Sequence, residues 1–368
     1  MKKLAVLLLA AFTFLLTACN PQTNGGTTMK QSLESVVMIK TEWNQLRFKD
    51  IEKGSFVLKS VDGTKTYVEG VDYEIDYKNG KIRRIEGTKI PDFSKNYTYG
   101  MAVKTLNHDL VTDVTTFHNS YFTVYAEYNF NKDVNETYDQ TLKAINATNN
   151  TAIPQNVIDK INNGEDIVLG VIGDSISYGA EATPGKEYFS LLKDYLANYG
   201  PNPVNVTLVN VAVGGDASDA GFGQAQKLYQ QCGENEPDLV IIAFGMNDQN
   251  SLIDSVTRIP PQQYVNNIKT VIRYISEIAA KEVPDFIVVT SMSPNPIWVY
   301  THPNQAQWHD ALREYASQNN IPIADVAAFM QSQYDHGQSV EEIVYSNINH
   351  PGNYGHKLYF EVFKSLFE

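Results

Sequence analysis

The chain has 368 residues, which at roughly 150 residues per domain leaves room for about two domains. Its 43% hydrophobic and 19% charged residues fit a globular protein able to bury a core. Against 42 acidic residues stand 29 basic ones, and the net charge of −13 argues against nucleic-acid binding through phosphate neutralisation and against docking on anionic lipid through the protein surface.

The N-terminal end reads as an export segment rather than as fold. Lys2 and Lys3 precede an apolar stretch, 4–16, too short to span a membrane comfortably. It closes on Leu16-Thr17-Ala18-Cys19, which resembles the bacterial lipobox, whose Cys becomes the lipidated first residue of the mature protein. That resemblance implies a signal peptide over 1–19 and an extracytoplasmic protein, at the cell surface or in the periplasm, tied to the membrane through lipid on Cys19. An ordinary signal peptide with an incidental Cys is the alternative. Cys19 and Cys232 are the only cysteines, so an exported chain has no disulfide framework, and Cys232 reads as a small buried residue. Residues 20–30 are polar and Gly/Thr-rich, a flexible tether.

From 31 to 130 the pattern is β. Ser55-Phe56-Val57-Leu58 and the aromatic-rich run 121–128 read as strands, and Asp62-Gly63 and Asn79-Gly80 as two-residue hairpin signals between strands. Short strands at this spacing predict a β-sandwich-like accessory domain. The 22 Tyr suit sugar stacking, although Tyr is also common in strands. Residues 131–164, polar and Asn-rich with one weak helix over 154–161, read as an interdomain connection.

After 165 the texture changes. Apolar runs at 167–172, 204–213, 238–244, 285–290 and 321–326 have the look of buried parallel strands. Helical stretches at 187–198, 220–232, 261–281 and 304–318 alternate with them, and 354–367 closes the chain. Strand and helix in alternation predict a parallel sheet covered on both faces, a three-layer α/β/α domain over 165–368. Ligands in such sheets bind at the carboxyl ends of the strands, where four features stand in order.

Gly173-Asp174-Ser175 follows the first strand and puts a hydroxyl at the sheet edge, before a helix; a turn with a helix cap explains it equally well. Gly214-Gly215-Asp216 follows the second, where glycine lets a main-chain N–H approach a ligand, or simply makes a tight turn. Gly245-Met246-Asn247-Asp248 follows the third, and the Asn amide can donate to an oxyanion or start a turn. Asn349-His350-Pro351-Gly352 precedes the last helix, where Pro and Gly stiffen a loop carrying a potential proton acceptor; a loop His taken singly is more often a bystander.

Taken together, these blocks are similar to the Ser, Gly, Asn and His blocks of the SGNH (GDSL-like) hydrolases, over 166–368. The resemblance implies a flavodoxin-like three-layer fold and an ester hydrolase with Ser175 as nucleophile and His350 as base. It places the oxyanion donors on the Ser175 N–H, Gly215 and Asn247. One position departs: the family commonly has an Asp three residues before the His, and here stands Asn347. In a Ser-His-Asp system that exchange can cost about 10⁴ in turnover. The imidazole is then left to the Asn347 carbonyl, to a backbone carbonyl, or to a carboxylate from elsewhere such as Asp335, Glu341 or Glu342.

Other motifs fail. Residues 179–186 (GAEATPGK) miss the phosphate-loop spacing, and Glu187 stands where Ser or Thr is needed. No His-Glu-x-x-His, zinc cluster or complete dinucleotide loop is found, so neither metal nor cofactor is implied. The loop after the fourth strand, with Trp298, Tyr300, His302 and Trp308 in or beyond it, either shapes an acyl or sugar site or packs against the other domain. Asp325 reads as a helix cap. The expected reaction is acyl transfer to water, on small acyl esters of a carbohydrate. A lipase, thioesterase or acyltransferase with the same site is one rival, and a non-catalytic surface glycan-binding lipoprotein is the other.

Overall fold

A computed structural model describes residues 26–107, 118–250 and 258–368; the expected export segment, 1–19, and Cys19 lie outside the described residues. The N-terminal strands are β1 (Thr28–Val37), β2 (Asn44–Gln45), β3 (Val57–Ser60), β4 (Thr66–Tyr67), β5 (Tyr73–Asp76), β6 (Lys81–Arg84) and β7 (Thr123–Asn131). They pair antiparallel in two sheets, β1-β7-β3-β4 and β2-β6-β5. Asp62-Gly63 and Asn79-Gly80 do turn the chain, but in loops 61–65 and 77–80 rather than two-residue hairpins. Side chains build the wider turns: the Asp62 carboxylate accepts from Ser60 and Thr64, and Asp76 accepts from Asn79. Phe56 against Tyr73, ring centroids 5.6 Å apart, joins the two sheets in one core.

The stretch 131–164 holds α1 (Tyr138–Asn149) and α2 (Gln155–Asn162). Only Tyr138, Thr141 and Leu142 of α1 are buried, so its apolar stripe is too thin to show in the sequence. A Thr137–Gln140 capping box starts the helix.

Then follow β8 (Ile167–Gly173), α3 (Ser175–Tyr178), α4 (Tyr188–Leu196), β9 (Val206–Asn210), α5 (Gly221–Cys232), β10 (Leu239–Ala243) and α6 (Pro261–Ile278). The chain continues through β11 (Asp285–Val289), α7 (Ala306–Gln318), β12 (Ile323–Ala324), α8 (Val326–Asp335), α9 (Val340–Ile343) and α10 (Asn353–Lys364). The five strands pair in parallel in the order β12-β11-β10-β8-β9, so the second half is the expected flavodoxin-like α/β sheet flanked by helices.

The period-2 rule explains why its strands read as unbroken apolar runs. Leu239 and Ile241 enter one core, Val240 and Ile242 the other. Burying each such side chain stabilises by about 1.5–3 kcal/mol. The first of these cores runs without a break from Leu169 and Phe363 to Val36, Leu46 and Phe130 of the β unit. Asp325 caps α8, accepting from the Ala328 N–H at 3.2 Å.

Glu342 shows what this junction costs. Its carboxylate is buried, accepts from Val37 N at 3.2 Å and Ser339 N at 2.8 Å, and burial pushes it up to about 8. A carboxyl whose folded pKa lies above its unfolded value stabilises fully below the unfolded value and loses that contribution as pH rises through the folded one. Wild type is therefore expected to lose stability between about pH 4.5 and 8, at up to about 1.4 kcal/mol per pH unit from this group. Urea unfolding at pH 5 and pH 8 should show Glu342→Gln gaining on wild type at the higher pH; a constant difference would mean Glu342 is not buried as described.

Candidate active site

The chain reverses direction across the sheet between β8 and β10, and segments leaving their carboxyl ends meet there. After β8, Asp174 caps α3, its carboxylate accepting the Ile176 N–H at 2.9 Å. The helix behind Ser175 is a single turn ending at Gly179, so it supplies a turn of free N–H groups rather than a long dipole. Ser175 is 9% exposed, and its Oγ lies 2.8 Å from His350 Nε2.

After β9, Gly215 takes φ of +82°, a conformation that a side chain would strain. Its carbonyl accepts from Arg258 at 2.9 Å, which holds the peptide in place. After β10, the Asn247 Nδ2 donates to the Asp216 carbonyl at 2.8 Å, and its second amide hydrogen remains for another acceptor. Ser175, Gly215, Asn247 and His350 all line one cavity of about 480 Å³. Such an array can deprotonate a hydroxyl at one point and receive negative charge close by.

Two buried side chains tie these segments together. Gln224 on α5 donates to the Gly173 carbonyl at 2.9 Å and accepts the Gly173 N–H at 2.8 Å, and also donates to Asp216 at 2.8 Å. Asp248 accepts from Ser218 N at 3.1 Å and from Ser218 Oγ at 2.5 Å, binding the second block to the third. Burial pushes the Asp248 carboxyl up to about 6 and that of Asp174 up to about 7.

The His350 loop closes on itself: Tyr345 N donates to the His350 carbonyl at 2.9 Å, and Val344 bridges Pro351. Gly352 is needed beside it, because a Cβ there would stand 2.2 Å from the Tyr345 ring. At the tip, Asn347 is fully buried with φ of +62°. Its amide oxygen accepts from Asn295 at 2.9 Å and Asn119 at 3.3 Å, while its nitrogen donates to Thr98 and Asn96. Asn119 also donates to the Val344 carbonyl at 2.6 Å, and the Tyr125 and Tyr345 hydroxyls are bonded to each other. The amide that the sequence offered to the imidazole knits the His350 loop to the β unit through Asn96, Thr98 and Asn119. Of the carboxylates weighed for the same task, Glu342 accepts from Val37 and Ser339, and Asp335 accepts from Gln331 on the surface.

Two titratable cavity residues escaped the sequence reading. Glu181, at φ of +67°, stands 3.6 Å from His118 Nδ1. The His118 hydrogen bond holds its carboxyl below the usual range, with the charges of His118 and His350 adding to the effect. No motif marks Glu181, which lies in the discarded 179–186 segment, and His118 lies just before β7, far from the other blocks in sequence. Of the four aromatic candidates, Trp298 lines the cavity and Tyr300 packs edge-on to it at 5.5 Å. His302 lines a different cleft. Trp308 is core, its indole donating to the Ile259 carbonyl at 2.9 Å. The loop also packs on the β unit, Leu106 N donating to the Ile297 carbonyl at 2.8 Å. Burial pushes the Cys232 thiol up to about 11, away from reactivity.

A family model described as GDSL-like lipase/acylhydrolase matches residues 171–358. An arylesterase of Vibrio mimicus is 32% identical over 115 residues, 31% of this chain and 52% of the relative, so the match spans about half of that protein's length. Among solved structures, a two-domain esterase active on acetylated mannans is 22% identical, over 57% of this chain and 52% of that one, with a TM-score of 0.46. A G-D-S-L family lipolytic protein of Veillonella parvula is 15% identical, over 53% of this chain and 94% of that one, with a TM-score of 0.43.

Asn347→Asp, which restores the carboxylate that the motif calls for, is expected to harm the protein. It removes two donors and buries a charge among acceptors, a change worth about 3–5 kcal/mol in comparable sites. Thermal melting should fall, and labelling of Ser175 by a fluorophosphonate should slow by about tenfold or more as the His350 loop loosens. Faster labelling would instead mean that a carboxylate at 347 turns to the imidazole.

Proposed function

The chain belongs to the GDSL-like lipase/acylhydrolase family, and from that premise we propose that it is an ester-hydrolysing enzyme that removes small acyl groups, acetyl above all, from carbohydrate. The observation that carries the site assignment is the 2.8 Å contact between Ser175 Oγ and His350 Nε2 at the mouth of the parallel sheet.

In this reading His350 takes the Ser175 proton as the oxygen bonds to the acyl carbon. The carbonyl oxygen becomes an oxyanion facing the N–H groups of Ser175 and Gly215 and the Asn247 amide, each donor being worth about 3 kcal/mol of barrier. Collapse breaks the bond to the alcohol oxygen, which leaves with the proton from His350. Water then gives a proton to His350, attacks the acyl-serine, and releases the acid while Ser175 regains its hydrogen. Glu181 lowers the cost of the imidazolium that each half-reaction passes through.

The lining supports a short acyl group on a polar alcohol. His118, Glu181, Asn247, Asn250, Ser346 and Asn349 surround the serine, with Trp298 and Ile348 as apolar surface, among the described residues. A long acyl chain gains about 0.8 kcal/mol per methylene only along a continuous apolar wall, and six of these eight side chains are polar.

Rates on p-nitrophenyl acetate, octanoate and palmitate should fall in that order, and acetylated xylan or mannan should release acetate. Ser175→Ala should lower kcat by at least about 10⁴. A preference for palmitate would overturn the small-acyl reading, and an unchanged rate in Ser175→Ala the site assignment.

The Leu16-Thr17-Ala18-Cys19 tetrapeptide supports lipidation at Cys19, and with it an activity at the outer face of a bacterial membrane, where acylated polysaccharide is met. Cells fed an alkyne-tagged palmitate should label the wild-type protein and not Cys19→Ser; equal labelling of both would remove the anchor from this reading.

A further inference from the structure

A second cleft, of about 660 Å³, shares no lining residue with the catalytic cavity. The two are neighbours through one segment: Trp298 faces the serine, while Pro294 and Pro296 wall the second cleft. The β unit closes one side, Lys104 N donating to the Pro296 carbonyl at 3.0 Å, and α8 with the turn after it forms another.

Three of the lining side chains hold a polar atom shielded from solvent and without a hydrogen-bond partner: Gln305 Oε1, Tyr334 OH and Gln338 Nε2. Gln338 is 4% exposed and one end of its amide is engaged by the Tyr354 hydroxyl at 2.9 Å, so whichever way the amide is turned its other polar atom is left without a partner. Buried polar atoms in folded proteins are nearly all paired, and three orphans around one cleft point to a ligand that pairs them. The set is an acceptor, a donor and a hydroxyl, placed between proline rings. Burial and the nearby Lys104 ammonium both lower the His302 pKa, and its Nδ1 accepts the Asn304 N–H at 3.0 Å, so Lys104 is the one cation among the described lining residues and no carboxylate stands among them. Hydroxyls at fixed spacing on a ring with apolar C–H faces are what such walls fit.

We propose that this cleft binds a neutral pyranose of the glycan chain, holding the polymer beside the Ser175 cavity. The proposal rests on the carbohydrate-esterase reading above and assigns that glycan a second foothold.

Calorimetry with full-length Ser175→Ala, titrated with mannohexaose, xylohexaose and cellohexaose, is the test. At least one is expected to bind. Adding Tyr334→Phe removes a hydroxyl with no partner in the fold, so melting should hold or rise while affinity drops about fivefold, the worth of one hydrogen bond. Val103→Trp, 66% exposed at the mouth of the cleft, should block binding. In the Ser175 protein it should leave p-nitrophenyl acetate hydrolysis unchanged and slow acetate release from polymer. No binding by any hexasaccharide, or binding indifferent to both substitutions, overturns the proposal. The two readings fail separately. Hexasaccharide binding lost in Val103→Trp, without acetate release from any acetylated polymer, sinks the esterase reading alone. Acetate release untouched by Val103→Trp sinks the cleft alone.

Discussion

The amide of Asn347 stands where four stretches of chain meet, and the reactive geometry follows from it. Its oxygen and nitrogen engage Asn295, Asn119, Asn96 and Thr98 out of reach of water. One such bond contributes about 1 kcal/mol net, but a buried amide left unpaired costs about 1–3 kcal/mol, so the cluster forms as a unit or fails as one. Three residues on, His350 inherits that rigidity. An imidazole held within a few tenths of an ångström of its working position is worth far more to a reaction than one searching for it.

Most of that cluster comes from the N-terminal unit, which changes what that unit is. Asn96, Thr98 and Asn119 belong to it, and its Tyr125 hydroxyl meets Tyr345 in the catalytic loop. Beneath, the apolar core passes from one half of the molecule to the other, with Arg47 Nε donating to Gln333 at 2.7 Å across the junction. Glu34 and Tyr128 continue the buried polar chain within the β unit, bonded to each other at 2.5 Å. A module strung on a flexible connection would leave these groups unsatisfied. The β unit is built into the site it supports.

These long-range facts explain which parts could be read in the sequence. The parallel sheet was legible because strands buried on both faces must be apolar at every position, as at Leu239-Val240-Ile241-Ile242. The four blocks were legible because each follows such a strand or precedes the last helix, and the topology brings strand ends together. α1 was not, since only three of its side chains are buried. Nor was the task of Asn347, which depends on residues more than 200 positions away, or the placing of Glu181 and His118, which no local pattern encodes. Trp308 misled for the same reason: an indole near a site loop and an indole in the core look alike until the helix carrying it is placed.

The acidic residues of the first and third blocks have a physical account of their own. Asp174 collects backbone N–H groups from Ile176, Met246 and Ser177, and Asp248 collects the Ser218 N–H and hydroxyl. Each thereby pulls the end of one strand onto the start of the next segment, which positions the main-chain donors around Ser175. Burial opposes this by disfavouring the charged forms, with Asp248 adding repulsion at Asp174 and Asp219 at Asp248, and both carboxyls are held above the usual carboxylate range. A carboxyl whose charged form burial disfavours places less negative charge behind Ser175 than a fully ionised one would, which favours the oxyanion of the proposed reaction.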